Sequence, residues 1–187
     1  MHFFKSLFVT LFILSLSGCA ATDGATKAEK QAEIHEMENQ VLAKLYKQKP
    51  DTRSQIRSAS GYAVFSNANV NVIFVAAGGG FGLVKNNQSG NYTYMKMAEG
   101  GVGLGFGAKD YRIVMVFHNQ QAITDFIENG WTFGGNADAA AKANKMGASV
   151  EGEAYYGDVT VYTMTESGLA LQATVKGTKF WVDRELN

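Results

Sequence analysis

The sequence predicts an α+β fold: N-terminal helices packed on a mostly antiparallel, glycine-rich sheet or barrel-like sandwich, with one further helix near residues 119–129. Three observations predict it. Thr26-Lys27-Ala28-Glu29 has the Thr-x-x-Glu form of a capping box, and apolar residues follow it at helical spacing. From Tyr62 the chain changes to short runs rich in Val, Ile, Phe, Tyr and Thr, separated by Gly, Asn, Ser and Asp, which is strand and turn chemistry. Within that region glycine recurs at every second position, at Gly101, Gly103, Gly105 and Gly107 and earlier at Gly78, Gly80 and Gly82. A period of two is a strand period.

Residues 7–16 are apolar except for Thr10 and Ser15 and follow a single cation, Lys5. The run is far shorter than the roughly 20 residues that span a bilayer, so residues 1–18 read as a signal segment. It ends in Leu16-Ser17-Gly18-Cys19, which resembles the lipobox of bacterial lipoproteins. That resemblance implies a diacylglyceryl group on the Cys19 sulfur, cleavage before Cys19, and attachment to a membrane through the acylated cysteine. The other reading is an ordinary secretory signal with a chance cysteine. Ala20, not aspartate, follows Cys19. In lipoproteins of two-membrane bacteria that pattern accompanies transport to the outer membrane, so the expected location is its periplasmic face. Cys19 is the only cysteine, which excludes a disulfide within the chain and a thiol-based metal site.

Residues 19–25 read as a tether and 26–187 as one domain. Basic and acidic residues number 17 each, and losing Lys5 leaves about one net negative charge, so no global field draws the protein to nucleic acid. A first helix starts at the capping box. Ile34, Met37, Val41 and Leu45 share one face, Glu33, Glu36, Glu38 and Lys44 lie around the rest, and Pro50 ends it. Asp51 is placed to cap a short second helix reaching Ser58, with Gly61 as a left-handed stop. Strands are expected near 62–66, 70–76, 80–85, 91–97, 101–108 and 111–117, with a hairpin loop at 86–90 and a turn at Ala108-Lys109-Asp110. Asn119 opens a helix with Ala122, Ile123, Phe126 and Ile127 on one face and Gly130 as its stop. The last strands are expected at 159–165, 169–175 and 178–183, turned at 166–168 and 176–177. Residues 137–145 fit either helix or strand.

The glycine stripe is not a phosphate loop. A Walker loop needs Gly-x-x-x-x-Gly-Lys-Ser/Thr and a dinucleotide fingerprint needs Gly-x-Gly-x-x-Gly between strand and helix. On a regular strand Gly101, Gly103, Gly105 and Gly107 share one face, with Val102, Leu104, Phe106 and Ala108 on the other. Each glycine costs roughly 0.5–1 kcal/mol against alanine, so something must pack closely there. Gly80 and Gly82 repeat the device, and the expected occupant is a helix, aromatic rings or an acyl chain.

Ala59-Ser60-Gly61-Tyr62-Ala63-Val64-Phe65, Gly80-Phe81-Gly82-Leu83-Val84, the stripe from Gly101 to Gly107 followed by Asp110 and the run from Ile113 to Phe117, Phe133-Gly134-Gly135-Asn136-Ala137, and Gly168-Leu169-Ala170 with Gly177 resemble successive blocks of the SYLF domain. The sequence departs from that pattern where many SYLF domains carry Trp-Ser-x-Pro, reading Tyr92-Thr93-Tyr94-Met95, and at Ser66, where a proline is common. The resemblance implies a lipid-binding domain. Eukaryotic members bind phosphoinositides and in some cases actin, and similar bacterial members are lipoproteins assigned lipid binding by likeness.

Catalytic patterns are missing from the sequence. His35 and His118 each lack a second ligand at metal spacing, no metal or cofactor is implied, and Glu151 and Glu153 read as solvated. Trp131, Tyr155, Tyr156, Tyr162 and Trp181 read as core or interface residues. One charge cluster stands out: Lys44, Lys47, Lys49, Arg53 and Arg57, opposed only by Asp51. Near anionic lipid each such cation gains about 1 kcal/mol, which makes Lys44, Lys47, Arg53 and Arg57 candidate lipid-binding residues. Equally, cations at a helix C-terminus complement its dipole. The expected function is a non-enzymatic, lipid-anchored envelope protein that binds phospholipid. The alternative is a structural or interaction lipoprotein whose glycine-paved surface receives a protein partner. A membrane-spanning barrel is weaker, because the strands as read are mostly shorter than the roughly 9–11 residues of a span.

Overall fold

The computed structural model describes residues 25–130, 132–133, 153–165, 168–169 and 177–187. In chain order these form α1 (Lys27–Gln48), α2 (Thr52–Ser58), β1 (Gly61–Asn86), β2 (Tyr92–Phe117), α3 (Gln120–Asn129), β3 (Thr132–Phe133), β4 (Glu153–Tyr156), β5 (Val159–Thr165), β6 (Gly168–Leu169) and β7 (Gly177–Val182). The fold is α+β, with an antiparallel curled sheet in the order β3-β7-β2-β5-β4, to which β1 adds on β2 and β6 on β5. The signal segment with Cys19, the stretch 137–145 and most of the expected strand 169–175 lie outside the described residues.

The helices follow their local chemistry. The Thr26 hydroxyl accepts from the Glu29 N–H and the Glu29 carboxylate accepts from the Thr26 N–H, completing the capping box. Asn119 caps α3 by accepting from the Ala122 N–H at 2.8 Å, and Gly130, at φ 61°, ends it. Two expected details differ. Asp51 makes no side-chain cap hydrogen bond; its backbone oxygen instead accepts from the N–H groups of Ser54 and Gln55. Gly61 is not a left-handed stop but the first residue of β1, where a Cβ would overlap the Lys85 carbonyl oxygen and lie 2.7 Å from Ile123 Cδ1.

The six strands expected between 62 and 117 are two. β1 and β2 run 26 residues each as one antiparallel ribbon, from Gly61 opposite Phe117 to Lys85 opposite Tyr92. Ala108-Lys109-Asp110 is not a turn, because each residue pairs across to β1 (Val70, Asn69 and Ala68) and cross-strand pairing overrides its turn composition. The expected hairpin loop is present: Asn86 Oδ1 accepts from Gln88 and Ser89 N–H, and Gly90 takes φ 77°. A straight ribbon of this length would measure about 80 Å. This one bends back until the ends of β1 meet, so that Cβ atoms at Gly80 and Gly82 would overlap the carbonyl oxygens of Ser66 and Val64.

The two arms present opposite faces of the ribbon to the core. Ala63 and Phe65 enter it from one arm and Val84 from the other, so odd positions face inward at one end and even positions at the other. Between them the register shifts at Ile73/Val75, where Gly103 and Leu104 occupy rungs for which β1 supplies one residue. A bulge of this kind bends a strand and increases its twist. It also corrects the expectation of a one-sided stripe: Gly105 pairs with Ile73 and Gly107 with Asn71, while Gly101 pairs with Ala76, which puts Gly101 and Gly105 on opposite faces.

Inside the curl, Phe65, Phe117, Phe126 and Phe180 pack with ring centroids 4.8–6.1 Å apart. Outside it, α1 crosses both arms, setting Val41, Leu42 and Leu45 on Val64, Val114 and Val116, and Ile34 on Leu83 and Tyr94. With 26-residue strands, the length argument against a spanning barrel falls away. Burial replaces it, since an apolar, filled interior is the reverse of a spanning barrel's polar lumen.

Candidate functional site

Where α1 ends, the chain turns at Pro50 into α2, and the side chain of Asn87, from the β1–β2 loop, donates to the carbonyls of Ile56 and Ala59 at 2.8 and 3.0 Å. This clamp fastens α2 beside the end of β1. Between them lies a cleft of about 460 Å³ lined by Tyr46, Arg53, Ile56, Arg57, Tyr62, Lys85 and Asn87. Three cations and no carboxylate are among these residues. The Arg53 guanidinium lies 4.5 Å from the Tyr46 ring centroid and Lys85 Nζ lies 5.1 Å from that of Tyr92, stacking that holds cationic heads in place while leaving polar edges available. The hydrogen bond to Tyr92 raises the Lys85 pKa above its ordinary value, so this amine is charged throughout the neutral range.

Behind the cleft is a buried polar chain. Tyr62 OH donates to Glu38 Oε1 at 2.6 Å, Glu38 Oε2 meets His35 Nδ1 at 2.9 Å, and His35 Nε2 meets Tyr94 OH at 2.9 Å. Burial first, and the Glu38 hydrogen bond second, push the Tyr62 phenol well above its ordinary range. Glu38 was expected on the solvated side of α1; the folded-back ribbon buries Glu38 and half-buries His35, because Tyr62 and Tyr94 come from the two arms that α1 bridges. A second buried carboxylate, Glu99, accepts from Asn67 Nδ2 at 2.8 Å and from Tyr111 OH.

The fold divides the candidate lipid-binding residues. Arg53 and Arg57 line the cleft. Lys44 instead donates to the Thr165 carbonyl at 2.8 Å, and Lys47 is exposed in the last turn of α1, outside the lining. Lys49 sits 5.6 Å from the Tyr162 ring centroid. Lys85 was missed. It is 28 positions from Arg57, and no spacing rule joins a strand end to a helix that far away. Gly80 and Gly82 face the chain's own backbone at the meeting of the arms, whereas Gly101, Gly103, Gly105 and Gly107 lie in the bent middle of β2. His118 Nε2 meets Thr160 Oγ1 at 2.8 Å. No group of three or more metal-ligating side chains occurs among the described residues.

Fold and cleft together define a class: an α+β domain with a curled antiparallel sheet and a cationic, aromatic-walled cleft. Residues 98–187 match the family model described as Ysc84, Las17-binding protein actin regulator, a SYLF-type model. The chain is also 30% identical over 161 residues to Beta cell expansion factor A of Aeromonas veronii, which covers 86% of this chain. It spans 60% of that relative's length. The cleft residues precede the segment matched by the family model.

Proposed function

We propose that this protein is a non-enzymatic, lipid-anchored component of the cell envelope whose SYLF domain binds anionic phospholipid at the cleft. The observation that carries the reading is the convergence of Arg53, Arg57 and Lys85 on one cleft, with no carboxylate among its described lining residues. A phosphate oxygen accepts hydrogen bonds from guanidinium and ammonium groups, and tyrosine walls suit the glycerol and upper acyl region of a lipid. The match of residues 98–187 to a family of lipid-binding type that is not an enzyme family supports the same reading. Residues 1–18 act as the signal, Cys19 carries the acyl chains, residues 19–25 tether the domain, and the location is the periplasmic face of the outer membrane. Against a protein partner seated on paired glycines stands the fact that Gly80 and Gly82 are already covered by residues 64–67 of the same strand.

The test is vesicle binding by the chain lacking residues 1–19. The parent binds vesicles containing phosphatidylglycerol more tightly than neutral ones, and binding weakens as salt rises, because exposed charges are screened over about 8 Å at physiological ionic strength. The triple variant Arg53→Gln, Arg57→Gln, Lys85→Gln loses the anionic preference with an unchanged melting temperature. Equal binding by parent and triple variant removes the cleft from the reading, and no binding by the parent removes the reading itself.

A further inference from the structure

Among the described residues, α1 covers part of the outer face of β1 and β2 and leaves Phe81 and Trp181 exposed. Phe81 pairs with Lys96 and Lys96 with Trp181, so three side chains stand in one row on the same face. The next rung is Gly79, Ala98 and Lys179. Phe81 and Trp181 are each 38% exposed, with one strand between them and hence roughly 10 Å apart. Lys96 is held between them by Asp183 at 3.1 Å and Glu185 at 3.7 Å, so its charge is already matched. What the row offers is two aromatic rings above a terrace of small residues, edged by the exposed Lys179.

The start of the domain lies at this same face. Lys27 Nζ donates to the Asn187 carbonyl at 2.9 Å and Gln31 Nε2 to that of Leu186 at 2.8 Å. Asn187 Nδ2 in turn donates to the Tyr94 carbonyl at 2.8 Å, two residues from Lys96. Thr26, immediately before α1, is seven residues from Cys19, a stretch that extends at most about 25 Å. An acyl group on Cys19 therefore holds the bilayer within reach of this face.

The geometry points to a docking surface for the bilayer itself: Phe81 and Trp181 insert side by side into the interfacial layer of the leaflet that carries the Cys19 acyl chains, with Lys179 at the phosphates. Phe and Trp rings suit that layer, where an apolar body and, for Trp, a donating N–H are both accommodated. Two inserted rings add a second attachment to the tether and set the orientation of the domain. This inference rests on the lipid-anchor reading of Cys19 and is independent of the cleft.

Trp131 and Trp181 are the only tryptophans in the chain, so a Trp131→Phe background makes Trp181 a single reporter. The acylated full chain is reconstituted into phosphatidylethanolamine–phosphatidylglycerol vesicles, with and without phospholipid brominated near the glycerol end of its tails, and mass spectrometry reads the N-terminal peptide for the acyl group. Quenching of Trp181 by the brominated lipid is the expected result. In a Cys19→Ser chain added from outside, Phe81→Ser lowers partitioning by roughly tenfold or more, the scale for removing one inserted ring, while Tyr155→Ser, an exposed ring on β4, leaves it unchanged. An acylated chain whose Trp181 is not quenched overturns the docking surface, and so does a Trp181 shielded from aqueous iodide yet untouched by brominated lipid, which assigns the face to a second copy. A peptide without the acyl group refutes the anchor, and quenching in the Cys19→Ser arm then decides the docking surface by the same criterion.

Discussion

Single residues carry the polar interior. Glu38 and Glu99 are each 4% exposed and each accepts from a tyrosine, Tyr62 and Tyr111. Replacing Tyr62 by Phe leaves Glu38 Oε1 without its short hydrogen bond while keeping the ring, so the expected loss is about 1–3 kcal/mol, the range for orphaning a buried polar atom, read from urea denaturation at neutral pH. The same pairs set an alkaline limit. Burial, then the carboxylate, raises both phenols in the folded state. Above pH 10, the ordinary value for tyrosine, the unfolded chain releases these protons and the folded chain retains them, so stability is full below that pH and falls as pH rises beyond it. The fall should be shallower in Tyr62→Phe and shallower still when Tyr111→Phe is added; equal slopes in all three proteins would refute this account. In the sequence Glu38 was indistinguishable from its solvated neighbours Glu33 and Glu36, because its burial depends on residues 24 and 56 positions further along the chain.

At the scale of elements, the helices and the strands at 159–165 and 178–183 were legible, and the continuity of the two long strands between 62 and 117 was not. The expected first helix ran from the capping box to Pro50 and α1 spans Lys27–Gln48, because caps and proline act over a few residues. The ribbon merged strands that turn-forming residues had seemed to separate, since its continuity comes from pairing between strands. Its glycines divide accordingly. Gly80→Ala and Gly82→Ala push a Cβ into backbone carbonyls where the arms meet and should each destabilise by about 2 kcal/mol or more, the upper part of the range for overpacking. Gly100→Ala, with nothing within 4 Å of its Cβ, should be neutral or slightly stabilising. Thermal melting of the three variants checks this, and a Gly82→Ala protein as stable as the parent would contradict the close approach.

For the whole molecule the question is how the domain meets its surroundings. The cleft of Arg53, Arg57 and Lys85 and the row of Phe81 and Trp181 are separate surfaces, one cationic and one aromatic. Lys44 is a useful contrast. Its ammonium holds the end of β5 through Thr165, so Lys44→Gln should lower stability modestly and leave the anionic-vesicle preference intact, whereas the cleft variants do the reverse. Attachment itself is tested in cells: a fatty-acid probe should label the parent and not Cys19→Ser, and the labelled protein should fractionate with the outer membrane. Label retained by Cys19→Ser would remove the anchor.

The sequence by itself determined the α+β class, the ends of the helices, the likeness to the SYLF domain and the candidate anchor at Cys19, because each is written in residues a few positions apart or in an ordered series of blocks. Tertiary structure decided the rest. Tyr62 and Tyr94 bury Glu38 only because the ribbon returns on itself, and the odd and even faces of β1 exchange roles only because it twists between its arms. Of five neighbouring cations, two reach the cleft, where Lys85 joins them from a strand. Local signals act through bonds and hydrogen bonds within a turn or two, whereas these features are contacts between distant segments, and they exist once the ribbon has closed.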